Sequence, residues 1–303
     1  MPDASHAPNT TQITYLVIYN EQSGIAYYDH KKAIQKFLNK HNISCTIHNT
    51  TPDGSFLDIN PNNFERIIVA GGDGTVREVA NWILKSKSTT PLVLIPRGSG
   101  NILASTLNIP FNTIKALELA ITGSVKKIDA GLINKKDYFF ISAGMGFDAK
   151  IMKNTSRQMK RVFGIYAYIE GVIKAFLNFH VDKFFIKSEG YENTVKAQAI
   201  FVSVVPEIVK LKTHPQSKFN DGNFNVSIIG TVSALDFFKL AINVLRNKHE
   251  KDWRLTFFKT KRIYILPLTK QVPMQVDGDI VYLPYMDIEM IPEALSIVTN
   301  KIL

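Results

Sequence analysis

The stretch RIIVAGGDGTVREVANWIL (Arg66–Leu84) decides the fold class. Its opening Arg66–Ala70 is an apolar, β-branched run that predicts a buried strand, and the run ends directly on Gly71-Gly72-Asp73-Gly74-Thr75. Beyond it, Val76, Val79, Ala80, Ile83 and Leu84 share one helical face over Val76–Leu84. Strand, glycine loop and helix in that order form the repeating unit of a parallel sheet covered by helices. The glycines permit positive φ and a close backbone approach to a ligand. The helix start offers unpaired N–H groups and a positive dipole end, which suit a phosphate. Asp73 is positioned to help hold a metal carried by phosphates, and Thr75 with Glu78 spells a capping box. A simple tight turn would explain the glycines, but not an aspartate flanked by them where α/β sheets bind ligands.

The same rhythm extends on both sides. Ile13–Tyr19, Ile43–His48 and Pro91–Ile95 are expected strands; Tyr28–Asn39, a segment through Leu107 and Thr113–Ile121 are expected helices. The strand at Pro91–Ile95 runs into Pro96-Arg97-Gly98-Ser99-Gly100-Asn101, where Ser99 and Asn101 can donate to phosphate or ribose oxygens and Arg97 adds a matching charge. A third loop, Asn20-Glu21-Gln22-Ser23-Gly24, follows the first strand. Loops at successive strand ends line one crevice, the expected place for a nucleotide. The candidate nucleotide-binding set is Asn20, Ser23, Gly24, Thr50, Gly71, Gly72, Asp73, Gly74, Thr75, Glu78, Arg97, Gly98, Ser99 and Asn101.

Past residue 125 the pattern changes to many short strands: Lys126–Leu132, Tyr138–Ser142, Val181–Ile186, Ala197–Val205, Phe224–Ile229, Leu255–Phe258, Arg262–Leu266 and Met286–Met290. Only Val162–Asn178 and Ala234–Arg246 read as helices among them. This predicts an antiparallel sandwich after an α/β domain. The expected divisions are 11–128, 129–290 and a closing segment 291–303, with Ala294–Leu303 a helix docking back on the first domain.

Composition narrows the partners. Lysine and arginine total 36 against 26 acidic residues, a net charge of +10, which favours nucleic acid, acidic lipid headgroups or nucleotide phosphates. No recognition-helix or aromatic-sheet motif supports nucleic acid. The single Cys45 excludes an internal disulfide or a cysteine metal cluster, and the histidines show no metal-ligand spacing. No signal peptide is expected. The most apolar long stretch, Val162–Phe179, contains Glu170, Lys174 and Asn178, so it does not read as a membrane span. Its apolar stripe reads either as core or as the wall of a cleft. Lys150, Lys153, Arg157, Lys160 and Arg161 before it suit an anionic membrane or plain solvation equally.

From about Thr14 onward the chain resembles the diacylglycerol kinase catalytic domain family, which includes bacterial lipid kinases, sphingosine kinases and ceramide kinase. GGDGT with Glu78 matches its glycine loop, and Pro96–Asn101 matches P-x-G-[ST]-x-N. Gly144-Met145-Gly146-Phe147-Asp148-Ala149 matches G-x-G-F-D-A, and Asp277-Gly278-Asp279 stands for D-G-E. The resemblance implies a phosphofructokinase-like nucleotide domain, a C-terminal β-sandwich, and a lipid entering between them. It implies ATP and Mg²⁺ as cofactors, Asp277 as general base for a lipid hydroxyl, Asp279 beside it, and Asp148 facing the substrate. It also implies a structural Mg²⁺ held by Asp221 and the carbonyls of Lys218 and Asn223, although Asn220-Asp221-Gly222 equally spells a hairpin turn. Read alone, Asp277-Gly278 is a common turn pair.

Departures are specific: Glu21 in place of proline, Arg77 where asparagine is usual, Ile102 where many diacylglycerol kinases have aspartate, and Asp279 for glutamate. The form G-S-G-N-x-L-A is closer to sphingosine kinases. The expected function is an ATP- and Mg-dependent lipid kinase, cytoplasmic and peripheral to the membrane, with a homodimer left open. An NAD kinase-like phosphotransferase and a non-catalytic lipid-binding relative are the alternatives.

Overall fold

Strands that are apolar on both faces need cover on both sides, and Leu16, Val17, Ile18, Ile67, Ile68 and Val69 are all without solvent exposure. The computed structural model describes residues 14–23, 29–50, 56–146, 180–208, 211–212, 218–230, 233–245, 252–269 and 272–300. Gly24, Asp148, the expected helix Val162–Asn178 and the basic cluster before it lie outside them. The first half runs β1 (Thr14–Tyr19), α1 (His30–Lys40), β2 (Ser44–Asn49), β3 (Arg66–Gly71), α2 (Asp73–Lys85), β4 (Leu92–Pro96), α3 (Ile102–Thr106) and α4 (Thr113–Thr122). Then come β5 (Ser124–Ile133), β6 (Asp137–Phe139), β7 (Ser142–Gly146), β8 (Asp182–Ser188), β9 (Tyr191–Ala197), β10 (Ala199–Ser203), β11 (Glu207–Ile208), β12 (Leu211–Lys212) and β13 (Phe224–Ile229). After α5 (Ala234–Leu245) follow β14 (Leu255–Thr260), β15 (Arg262–Pro267), β16 (Met274–Val276), β17 (Asp279–Val281) and β18 (Met286–Thr299).

One sheet has the order β2-β1-β3-β4-β18-β15-β8-β9, with β5 against β18 and β6 against β5. Neighbours from β2 to β4 are parallel, as is the contact of β18 with β4 at Ile297 and Leu92; the rest are antiparallel. A second sheet, β14-β13-β10-β7-β16-β17, is wholly antiparallel. Phe139, Phe184, Ile186, Ile263 and Ile265 from the first sheet pack on Met145, Ile200, Val202, Phe224 and Val226 from the second, forming the sandwich.

Two segments read as single strands are each broken in two. Tyr138–Ser142 divides into the end of β6 in the first sheet and the start of β7 in the second. Ala197–Val205 divides at Gln198, between β9 and β10, which also lie in different sheets. An unbroken apolar run carries no mark of which sheet it joins, so the sheet change is invisible to periodicity. The helix expected at Ala294–Leu303 is likewise replaced. Met286–Thr299 is one long strand that reaches from β15 in the sandwich to β4 in the α/β half, bulged between Ile291 and Leu295 around Pro292. Both edges of β18 are paired, and that tertiary context overrides local helical propensity.

Asp129, buried on β5, fastens this bulge. Its carboxylate accepts from Glu293 N at 2.9 Å and from Gly222 N at 2.8 Å, while its own N–H donates to Asn220 Oδ1 at 2.7 Å. Replacing Asp129 by Ala strands these N–H groups. We expect a loss of about 3 kcal/mol in chemical denaturation, with Asp129→Asn costing less because one acceptor remains. An unchanged midpoint in Asp129→Ala would show that the bulge does not rest on this carboxylate.

Candidate active site

The two glycine loops meet backbone to backbone. A Cβ on Gly98 would lie 2.6 Å from Gly72 Cα, and one on Gly71 would lie 2.7 Å from Thr75 Cβ. None of Gly71, Gly72, Gly74, Gly98 or Gly100 has positive φ. Gly71, Gly72, Gly98 and Gly100 therefore serve close packing rather than left-handed backbone, whereas a Cβ on Gly74 would meet only ordinary contact. The capping box does not form: Gly72 is the N-cap of α2 and has no side-chain cap bond. Thr75 sits in the first turn, where Oγ1 accepts from Asn20 Nδ2 at 2.8 Å, tying the first loop to the second. The N–H groups of the first α2 turn have no intrahelical acceptor and open at the carboxyl edge of β3.

Asp73 bridges the two loops. Its carboxylate accepts from the N–H groups of Ile102 (3.1 Å) and Leu103 (3.3 Å), the start of α3, while burial pushes its pKa up. Asn101 was expected to face a ligand. Instead it sits in the left-handed region, accepts from Gly98 N at 2.8 Å and donates to Gly98 O at 2.7 Å, closing its own loop. Arg97 also turns inward: Nη1 donates to Asn20 O at 2.9 Å and the guanidinium lies 4.3 Å from the Tyr19 ring centre. Ser99 remains exposed at the loop tip. Thr50 donates its N–H to Tyr19 O at 2.8 Å and does not line the cleft.

From the second half, the β16–β17 hairpin brings Asp277 and Asp279. Asp277 (φ 49°) and Gly278 (φ 88°) form its turn, as the Asp-Gly pair predicts, and both also line the cleft. The buried Asp277 carboxylate accepts three N–H bonds: Phe140 at 2.9 Å, Ile141 at 2.8 Å and Ser142 at 3.0 Å. These are the residues where the chain steps from β6 to β7. Burial pushes its pKa up to about 6, against the pull of the Phe140 and Ile141 N–H groups, the Arg77 charge and the Ser142 N–H. Arg77 on α2 donates Nη1 to Val276 O at 2.5 Å and Nη2 to Asp279 Oδ2 at 2.7 Å.

Together these groups line a cleft of about 1060 Å³ between the two halves. Its carboxylates are Asp73, Glu78, Asp137, Asp277 and Asp279. Among the described residues, Glu78 alone of these accepts no hydrogen bond and makes no ion pair; its burial raises its pKa. Sequence reasoning missed the far wall. Asn81 donates to Tyr138 O and accepts from Tyr138 N, both at 2.8 Å, and Lys85 pairs with Asp137 at 2.6 Å. Leu57, Trp82, Ile133, Val281 and Leu283 add apolar surface. Asn81 stands in a helix and Tyr138 in a strand read only for their apolar neighbours, so neither carried a motif.

The residues expected to hold a structural cation do not fit one. Asp221 Oδ2 accepts from Lys259 Nζ at 2.7 Å and Oδ1 from Asn223 N at 3.1 Å. Asn223 Nδ2 donates back to Asp221 O at 2.8 Å, and Lys218 is exposed. The hairpin reading prevails, with Asn220 and Gly222 at positive φ. An ammonium stands against the carboxylate, and Asn223, polar in this chain, closes the turn. Among the described residues no cluster of three or more His, Cys, Asp or Glu could hold a metal, and no helix is long and apolar enough to cross a membrane.

Comparison with known proteins matches residues 14–133 to the diacylglycerol kinase catalytic domain and residues 141–299 to the YegS C-terminal NAD kinase beta sandwich-like domain. A diacylglycerol kinase of Bacillus subtilis is 27% identical over 272 residues, 87% of this chain and 88% of its own. One from Staphylococcus carnosus is 28% identical, covering 72% and 71% respectively. A crystal structure of a diacylglycerol kinase from Bacillus anthracis superposes with a TM-score of 0.75 at 22% identity, over 96% of this chain and 98% of that one. It shares the fold.

Gly98→Ala forces a Cβ into the opposing loop's backbone, and we expect thermal unfolding to show a loss of about 1–3 kcal/mol. An unchanged midpoint would mean that the loops can part freely. EDTA or added Mg²⁺ should shift the midpoints of the wild-type chain and of Asp221→Asn alike. Lys259→Met should lower stability by about 1–2 kcal/mol, a modest value because both partners keep some exposure. A saturable rise with Mg²⁺ in the wild type that is lost in Asp221→Asn would overturn the reading of Lys259 as the partner of Asp221.

Proposed function

This chain belongs to the diacylglycerol kinase catalytic domain family, and from that premise we propose that it is an ATP-dependent lipid kinase phosphorylating a hydroxyl of diacylglycerol or a sphingoid-base-like lipid. The observation that carries the reading is the meeting of two parts in one cleft. A phosphate-suited glycine loop comes from the first half, and a buried carboxylate comes from the second.

The open N–H groups at the start of α2 hold phosphate oxygens, with Ser23 and Ser99 on the rim. The Asp277 carboxylate takes the proton of the acceptor hydroxyl as the hydroxyl oxygen bonds to the terminal phosphorus of ATP, the bond from that phosphorus to the bridging oxygen breaks, and ADP leaves. Three N–H bonds fix the direction of that carboxylate, so positioning supplies much of the rate. Mg²⁺ would neutralise charge on the phosphates, with Glu78 the uncommitted carboxylate facing it. The apolar wall of Leu57, Val281 and Leu283 suits an acyl chain, and next to it Tyr282 stands 88% exposed. An amphipathic ring at the cleft rim and a net charge of +10 favour contact with an anionic membrane surface. The G-S-G-N-x-L-A loop, with Ile102 in place of an acid, keeps sphingoid bases beside diacylglycerol as acceptors.

Radiolabelled phosphate transfer from ATP and Mg²⁺ to diacylglycerol, monoacylglycerol, sphingosine, ceramide and phosphatidylglycerol in mixed micelles tests this, with NAD as a soluble control. We expect label in one lipid and a fall of about 10²-fold or more in Asp277→Asn. Label in NAD alone would sink the lipid reading.

The pH profile should show an acid limb near pH 6, since activity needs the ionised carboxylate and is lost as pH falls through its pKa of about 6. Stability moves oppositely at this group. A carboxyl raised above its ordinary 3.8 penalises folding when ionised, and the penalty relaxes on acidification from about 6 towards 3.8. An acid limb near pH 4 would contradict Asp277 as the base.

A further inference from the structure

Arg77 occupies a place that neither the glycine loop nor the acidic turn explains by itself. It lies on α2, two residues beyond the loop, and its guanidinium reaches the β16–β17 hairpin. Nη1 donates to the carbonyl of Val276, just before Asp277-Gly278, and Nη2 to the carboxylate of Asp279, just after. The planar fork thus straddles the turn that presents Asp277, a geometry a lysine ammonium cannot reproduce. Asp279 Oδ2 lies 3.7 Å from where a Cβ on Gly74 would stand, so the ion pair sits over the glycine loop itself. The Asp279 side chain is 56% exposed and that of Arg77 23%, so charge attraction alone holds the pair weakly. The paired carbonyl adds the direction.

We propose that Arg77 is a positioning residue of phosphoryl transfer, clamping the acceptor-side turn of the second half onto the helix that carries the donor-side loop. The proposal rests on the kinase reading above. It also accounts for two departures together: an arginine on α2 in place of asparagine, and an aspartate in place of the longer glutamate. With the guanidinium reaching out from α2, the shorter acid closes the pair. Asp279 is then the anchor of the clamp.

Two measurements on Arg77→Met, Arg77→Lys and Asp279→Asn decide it. The first is amide hydrogen exchange at Phe140, Ile141 and Ser142, whose N–H groups end on Asp277 and report the seating of the turn without any turnover. We expect exchange there to speed up by about tenfold in Arg77→Met, with the amides of β1 and β3 unchanged, and less in Asp279→Asn, which keeps the Val276 contact. The second is steady-state kinetics on whichever acceptor takes label: kcat should fall by about 10²-fold in Arg77→Met, with the KM for ATP unmoved and Arg77→Lys recovering part of the loss. Unchanged protection at Phe140–Ser142 would overturn the clamp. So would an unchanged kcat with a raised KM for ATP, which would make Arg77 a nucleotide-binding group. If no acceptor is labelled, the kinase reading fails on its own, and the exchange experiment still reports whether Arg77 seats the turn.

Discussion

The fold turns on one carboxylate. Asp277 gathers the N–H groups of Phe140, Ile141 and Ser142 at the place where the chain leaves the first sheet and enters the second. Backbone donors at such a crossing have no ladder partner, and buried donors must be satisfied. A side-chain acceptor resolves this locally, at the cost of burying a charge. The same burial that threatens stability moves the carboxyl to about 6, a range useful for proton transfer near neutral pH. Under the proposed mechanism structure and chemistry draw on this single group, and the turn around it is held from the outside by Arg77.

The opposing wall follows a different rule. Gly72 and Gly98 touch because neither carries a Cβ, and Asp73 spans them to reach the start of α3. Its carboxylate was read as a metal holder; in the structure it first organises two loops. Most residues singled out at the loops hold the loops together, with the Asn101 and Arg97 side chains tied to backbone and that of Asn20 to Thr75. Fewer side chains remain open to a ligand, chiefly Ser23, Glu78 and Ser99.

Legibility followed the physics of each signal. The parallel strands were plain because they are buried on both faces and apolar throughout, as in Leu16–Ile18 and Ile67–Val69. Glycine loops placed at strand ends announced the cleft. Sheet changes at Phe140 and Gln198 left no mark, since a strand's pattern tells which face is buried but not which sheet it joins. The strand β9, Tyr191–Ala197, was missed because it is largely polar and lies at a sheet edge. Lys259 escaped notice as the partner of Asp221, because a contact across 38 positions needs the register of β13 on β14 to be known.

Strand β18 carries one more implication. It fills the slot between β4 and β5 and also pairs with β15, yet it is the last of the described strands to leave the ribosome. Until it arrives, the nascent α/β half exposes the edge of β4, an open template for wrong partners. The sheet beneath the glycine loops closes only once β18 has joined β4 and β5. In a fold built this way, the part of the sheet that carries the glycine loops and the part that packs on the sheet of β16 are joined through one late strand.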